Sequence, residues 1–428
     1  MTINKNYCKN LMFPGSPQKD INTPLISETD LFKVILLQTK KNKMAKELDF
    51  ESIRPYKDHE IQQVFERLKN ETSFLELIGF LYPELSPQRF IDGMMQIKSI
   101  RQFQQEVISP YIKQIIKTTT KEVTSEGLNE LDPKESYLYI SNHRDIVLDP
   151  AILNVIMFEN NFDTTEIAIG DNLLIYPWIT DLVKLNRTFI VKRNLPVRQM
   201  MESSTLLSEY IRHTITTIGH SIWIAQREGR SKDGNDRTQL SLLKMLNISG
   251  RDESVAENFK QLKIVPVSIS YEYDPCDYLK AKEFQQKRDD PEFSKTQEDD
   301  LQHMGAGLRG RKGRVHFAFG QPINNELDIL KDIENKNEKI EFLAGLIDKH
   351  VHENYRLWPG NWVAWDMLNT TEEYSNMYST EEKEIFLQYI EEHLERIEGD
   401  REFLRKTLLE MYANPVVNKR ELLGNAMK

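Results

Sequence analysis

Cysteine is almost absent: Cys8 and Cys276 are the only two in 428 residues. They stand far apart and in no metal-like spacing. That argues against a disulfide scaffold or a cysteine-rich zinc site, and a reducing compartment is the natural setting. Long apolar runs are also missing. A helix that crosses a bilayer needs about 20 consecutive apolar residues. The richest run, Phe74 to Tyr82, is far shorter and carries Glu76; Val34 to Leu37 is too short and too far from the start to be a signal-peptide core. The expectation is a cytoplasmic protein, soluble or peripheral to a membrane. Positive charge is in deficit as well, with 56 lysines and arginines against 66 aspartates and glutamates, a formal net charge of −10. Non-specific nucleic-acid binding wants a basic surface, so nucleic acid is not an expected partner. Attraction to anionic lipid would have to come from a local patch. The densest basic cluster is Arg309, Arg311, Lys312 and Arg314.

The residues present fall into four stretches. Residues 1–43 read as an irregular tail, and Met44 would make a reasonable alternative start. Residues 44–119 read as helical: Ile61, Val64, Phe65 and Leu68 mark one helix face. Pro83 and Pro87 punctuate the next stretch, a second helix runs from about Ile91 to Ile108, and Pro110 is expected to bend or break it. Short buried strands then follow at Tyr137–Ile140, Ile167–Ile169, Thr188–Val191, Ser221–Ala225, Ile264–Ile269 and Val315–Phe319. Helical patterns lie between them, at Pro150–Met157, Leu173–Leu185, Pro196–Thr217 and Leu240–Leu246. This alternation predicts an α/β fold with a mostly parallel central sheet flanked by helices, over about residues 120–325. Residues 280–303 are charge-dense without an apolar period and read as a surface insertion or mobile loop. Residues 326–428 are expected to form a helical C-terminal extension. In it Ser379 to Glu382 suggests a capping box, and Phe386, Tyr389, Ile390, His393, Leu394 and Ile397 mark one face.

Chemistry in an open α/β fold sits just past the carboxyl ends of strands. The strand at Tyr137–Ile140 runs into Ser141-Asn142-His143-Arg144-Asp145, and Asp149-Pro150 opens the following helix. A histidine there, with carboxylates close by, suits a general base oriented by an acid.

Asn-His followed by Asp-Pro after a strand resembles the first motif of the glycerol-phosphate and lysophospholipid acyltransferases. Three more blocks follow in that family's order: Arg187 to Arg193, Ile222 to Ser231 and Ile264 to Val267. Phe319 to Ile323 resembles the family's late strand and turn. The resemblance covers about residues 130–325. It implies acyl transfer from a thioester, on acyl-carrier protein or coenzyme A, to a hydroxyl of a glycerol-phosphate or lysophospholipid acceptor, at a membrane surface. No metal or other cofactor is implied, and no covalent acyl-enzyme; Ser141 is the only hydroxyl near His143 in the motif. His143 would be the base, with Asp149 as its partner and Asp145 as the second candidate. The family spaces its histidine and acid with four residues between them; here Leu148 occupies that acid position and Asp149 comes one later. Arg193, with Lys192 and Arg187, would hold the acceptor's anionic group. Arg187 replaces the usual glycine of the second block. Glu228, Gly229 and Arg230 would shape the acceptor site, and Pro266 would lie at the acyl pocket.

Two other readings stand beside this one. His143-Arg144-Asp145 echoes a kinase catalytic loop, but Pro150 stands where that loop needs asparagine. Gly305 to Gly310 fits a Gly-x-Gly-x-x-Gly pattern but precedes a strand instead of joining a strand to a helix. The second reading is a non-catalytic relative that binds lipid or a partner protein, motivated by the altered His–Asp spacing.

Overall fold

The computed structural model describes residues 49–426 except Pro83, Arg251 and Asp252. The tail at 1–43, Cys8, Val34–Leu37, Met44 and Pro83 therefore lie outside the described residues.

Seven strands form one sheet: β1 (Thr120–Glu126), β2 (Leu138–Ser141), β3 (Glu166–Gly170), β4 (Thr188–Val191), β5 (Ile222–Ala225), β6 (Ile264–Tyr271) and β7 (Gly313–Phe319). Their order is β1-β7-β6-β2-β5-β3-β4. Neighbours run parallel except β6 and β7. Apolar runs without alternation made the central strands legible, because a parallel strand is buried on both faces; β6 is buried along its whole length. The edge strand β1 was not foreseen. Its sequence, Thr-Lys-Glu-Val-Thr-Ser-Glu, has a single apolar residue and stays half exposed.

The helices are α1 (Ile61–Leu68), α2 (Thr72–Leu81), α3 (Pro87–Met94), α4 (Ile100–Phe103), α5 (Ser109–Thr119), α6 (Leu148–Glu159), α7 (Pro177–Leu185), α8 (Val197–His213), α9 (Leu240–Leu246), α10 (Val255–Lys260), α11 (Asp277–Asp289), α12 (Gln297–Arg309), α13 (Lys336–Asn354), α14 (Pro359–Asn369), α15 (Thr380–Leu394) and α16 (Arg401–Ala426). One sheet face, with Leu138, Ile140, Ile222 and Ile264, packs on α8, α9, α10 and α13. The other, with Tyr139, Trp223, Val265 and Val267, packs on α5 and α6. This is a helix–sheet–helix sandwich. The N-terminal helices α1 to α4 share a core with Leu185 of α7, and α14, α15 and α16 share another with Ala281 of α11.

Two expectations are corrected. Residues 280–303 are not a loop insertion: they belong to α11 and α12 and the turn between them. The inner face of α11 buries charge, with Lys280 paired to Asp274 and Glu283 to Lys232. A helix seated on ion pairs has no apolar period to read. The second correction concerns Pro110. The chain breaks earlier, between α3 and Ile100, and is helical from there to Thr119. A π turn at Gln104–Ile108 precedes Pro110, where the Ser109 N–H bonds Gln104 O. The wider turn accommodates a ring that would otherwise clash with the carbonyl four residues back.

Candidate active site

β2 ends at Ser141, and Asn142 ties the exit down. Its Nδ2 donates to Ile269 O at 2.9 Å and its Oδ1 accepts from Ile269 N at 2.7 Å. The side chain thus continues the β2–β6 ladder one residue further. Successive residues face opposite sides, so His143 falls on the face of Tyr139 and Trp223, beside α6.

There His143 Nδ1 lies 2.8 Å from Asp149 Oδ2. Asp149 is fully buried in the first turn of α6. The same Oδ2 accepts the backbone N–H of Arg144 at 2.6 Å and of Asp145 at 3.0 Å. Three donors on one oxygen fix the carboxylate, and the helix N-terminus favours its charge. With Nδ1 committed, Nε2 is the nitrogen left for a substrate. The indole of Trp223 stands edge-on to the imidazole at 5.4 Å between centroids.

Asp145 is turned elsewhere. Its Oδ1 accepts from Val147 N at 2.9 Å and Leu148 N at 2.8 Å, capping α6. Burial, with Asp149 next, raises its pKa above the ordinary carboxylate value. A Cβ at Gly307 would fall 2.0 Å from Asp145 Oδ2, so Gly307 of α12 makes room for this carboxyl. Gly307 of the Gly305–Gly310 pattern thus serves packing. Ser141 Oγ donates to Asn142 O at 2.7 Å and accepts from Trp223 Nε1 at 3.0 Å, which leaves it unpaired with His143.

The later blocks converge only in part. Arg193, just past β4, reaches Glu228, just past β5, at 3.1 Å. Its backbone N–H donates to Asp171 Oδ1 at 3.1 Å. Its guanidinium lies over Gly170, where a Cβ would come within 2.4 Å of Nε. Gly229 has φ +70° with open space around it, so conformation and not room calls for glycine there. Ser231 N donates to His143 O at 2.9 Å, bringing the block back under the histidine. Lys192 is exposed at the same end of β4.

Three expected site residues are engaged in contacts of their own. Arg187 precedes β4, at the opposite end from Arg193, six residues or about 20 Å away along the chain at 3.3 Å per residue. It pairs with Asp163 at 2.9 Å and donates to Thr164 O at 3.0 Å. Its φ of +54° keeps the left-handed backbone that suits a glycine. Arg230 is buried and turns inward, where its guanidinium donates to His303 Nδ1 at 3.0 Å. Burial and the neighbouring Arg230 push the His303 pKa down to about 2. Pro266 sits within the sheet, level with Ile140. Its carbonyl accepts from Gly320 N at 2.9 Å, past the end of β7, so its missing N–H faces a place where the ladder has stopped.

A buried polar layer beneath the motif was not legible in the sequence. Arg144 pairs with Asp236 at 2.5 Å, and its guanidinium lies 5.5 Å over the Tyr355 ring. Lys280 Nζ donates to Arg144 O at 3.2 Å while holding Asp274. His352 Nε2 donates to Asp236 O at 2.6 Å. Among the described residues no cluster of His, Cys, Asp or Glu is placed to hold a metal ion. No described helix is long and apolar enough to cross a membrane.

With this geometry in place, residues 122–270 match the family model for acyltransferases. The chain carries an acyltransferase-family domain. That domain contains β2 to β5, most of β6, the His143–Asp149 pair and the Arg193–Glu228 contact. Among solved structures it is similar to the 1-acyl-sn-glycerophosphate (LPA) acyltransferase PlsC from Thermotoga maritima. That match has 10% identity and a TM-score of 0.36, covering 70% of this chain and 96% of that one. Similarity at this level carries no argument about activity. No curated protein matches this chain in sequence.

Proposed function

We propose that this acyltransferase moves a fatty acyl group from a thioester, on coenzyme A or acyl-carrier protein, to a hydroxyl of a glycerol-phosphate or lysophospholipid acceptor. The observation that carries the reading is His143 Nδ1 held at 2.8 Å by a fully buried aspartate at a strand's carboxyl end. Residues 120–325 would be the catalytic core, working peripherally at a membrane on the cytoplasmic side.

In the proposed step His143 Nε2 takes the proton of the acceptor hydroxyl as its oxygen attacks the thioester carbonyl. Asp149 holds the imidazole in the Nδ1–H tautomer and stabilises the imidazolium. The C–O bond forms, the C–S bond breaks, and the thiolate leaves with the proton that His143 returns. Arg193 would bind the acceptor's phosphate. Glu228 braces Arg193 in the free protein, and a phosphate would compete for that guanidinium. Lys192 adds a second cation nearby, and Gly229 sets the loop that carries Glu228. Arg187, Arg230 and Pro266 support the fold around the site.

The test is an acceptor screen with labelled acyl donor, using glycerol 3-phosphate, lysophosphatidate and a lyso-aminolipid. Acylation of a phosphate-bearing acceptor is the expected result. Absence of turnover with every donor and acceptor pair would favour the non-catalytic lipid-binding reading.

A further inference from the structure

A cavity of about 650 Å³ opens on the β1 side of the site, between the starts of β1 and β7 and the residues that follow β6. Four cations line it, Lys121, Arg309, Arg311 and Arg314, against two carboxylates, Glu272 and Glu382. Both carboxylates are engaged. Glu272 Oε1 accepts from Arg314 at 2.7 Å, and Glu382 Oε2 accepts from Ser379 N at 2.9 Å in the cap of α15. Arg314 is further seated 4.8 Å over the Trp358 ring. Arg311 lies 4.7 Å over Tyr273, which leaves its N–H edge open. Arg309, Arg311 and Lys121 have no carboxylate partner among the described residues. In a chain of net charge −10, this is a concentration of unspent positive charge within a concave site.

Its position matters as much as its charge. β2, which presents His143, is one to three strands from β6, β7 and β1, or about 5–15 Å across the sheet at 4.8 Å per strand. Arg193 lies beyond β4, on the other side of β2. His143 therefore stands between two cationic places. If Arg193 takes the acceptor, the cavity is left for the donor.

We propose that this cavity binds the phosphate-bearing nucleotide end of a coenzyme A thioester. The arginines suit its phosphates. The volume lies within the range of about 300–1,000 Å³ common to small-ligand sites. The assignment rests on the acyl-transfer reading of His143 and extends it to the donor.

The probe is adenosine 3′,5′-bisphosphate, titrated calorimetrically into the full chain with adenosine as reference. The bisphosphate should bind more tightly than adenosine, and more weakly as salt rises. Arg309→Gln with Arg311→Gln, both at exposed positions, should weaken it by about tenfold or more. His143→Ala should leave it unchanged. Equal binding of adenosine and bisphosphate, or unchanged affinity in the double variant, would overturn the assignment. So would a double variant that keeps nucleotide affinity but loses binding to phosphatidylglycerol vesicles, since the patch would then serve lipid headgroups. Binding requires no turnover, so failure here would leave the acyl-transfer reading to its own test.

Discussion

Asp149→Asn is the most informative single change at the site, because the geometry says what it removes. All three donors, from His143, Arg144 and Asp145, converge on Oδ2. An asparagine that places its amide oxygen there keeps all three bonds and the Nδ1–H tautomer. What it loses is charge. A unit charge about 4 Å from the imidazolium, at an effective dielectric of about 20, contributes about 4 kcal/mol. If that stabilisation appears only as the proton arrives, turnover should fall by about a thousandfold. The asparagine Nδ2 would take the place of Oδ1, which is buried without a protein partner. An unsatisfied donor there should cost about 1–3 kcal/mol of stability. The assay is thiol release from the acyl donor, run beside a thermal melt to show that the variant is folded. Asp145→Asn is the control. It weakens the cap of α6, so it should lower the melting temperature with a much smaller effect on turnover. A folded Asp149→Asn enzyme within tenfold of the parent would refute the electrostatic role given to Asp149.

Three further predictions follow from the same geometry. Arg193→Gln should raise KM for a phosphate-bearing acceptor by about tenfold or more, with kcat changed far less, because it removes a charge-assisted contact made before chemistry; equal losses in kcat and kcat/KM would oppose this. Arg187→Gly should leave kcat/KM unchanged and stability nearly so, since relief of a left-handed arginine, about 1 kcal/mol, offsets a part-exposed ion pair worth about as much; a large loss of activity would restore Arg187 to the site. His303 has a folded pKa near 2 against an ordinary 6.5. The unfolded chain therefore binds a proton between those values that the folded chain does not, and stability falls as pH drops below about 6.5. His303→Gln should flatten that slope in denaturant melts between pH 6.5 and 4, and an unchanged slope would show that other groups set it.

Much of the architecture was legible because burial on both sides of a parallel strand writes a continuous apolar run. Ile264–Ile269 and Ser221–Ala225 are such runs, and each became a strand within a few residues of its expected ends. β1 was not, because an edge strand with Lys121, Glu122 and Glu126 exposed looks like a loop. Nor was α11, whose buried side is held by Lys280 and Glu283 in ion pairs. The site followed the same rule. His143 and Asp149 were readable because a strand end and a helix start bring them together within seven residues. The positions of Arg187 and Arg230 were not, since a motif read along the chain does not say which end of a strand, or which side of a loop, a side chain takes. Arg144–Asp236 and Lys280–Asp274 were invisible for a plainer reason. Buried charge looks like surface charge until its partner is known.

The central claim is that His143 is the base of an acyl transfer, and its most direct measurement is single-turnover acylation of a hydroxyl acceptor by the purified protein and by its His143→Ala variant. The account predicts transfer by the parent and a loss of about a thousandfold or more in the folded variant, as expected when both the proton acceptor and its orientation are removed. Transfer by His143→Ala at the parent rate would contradict it.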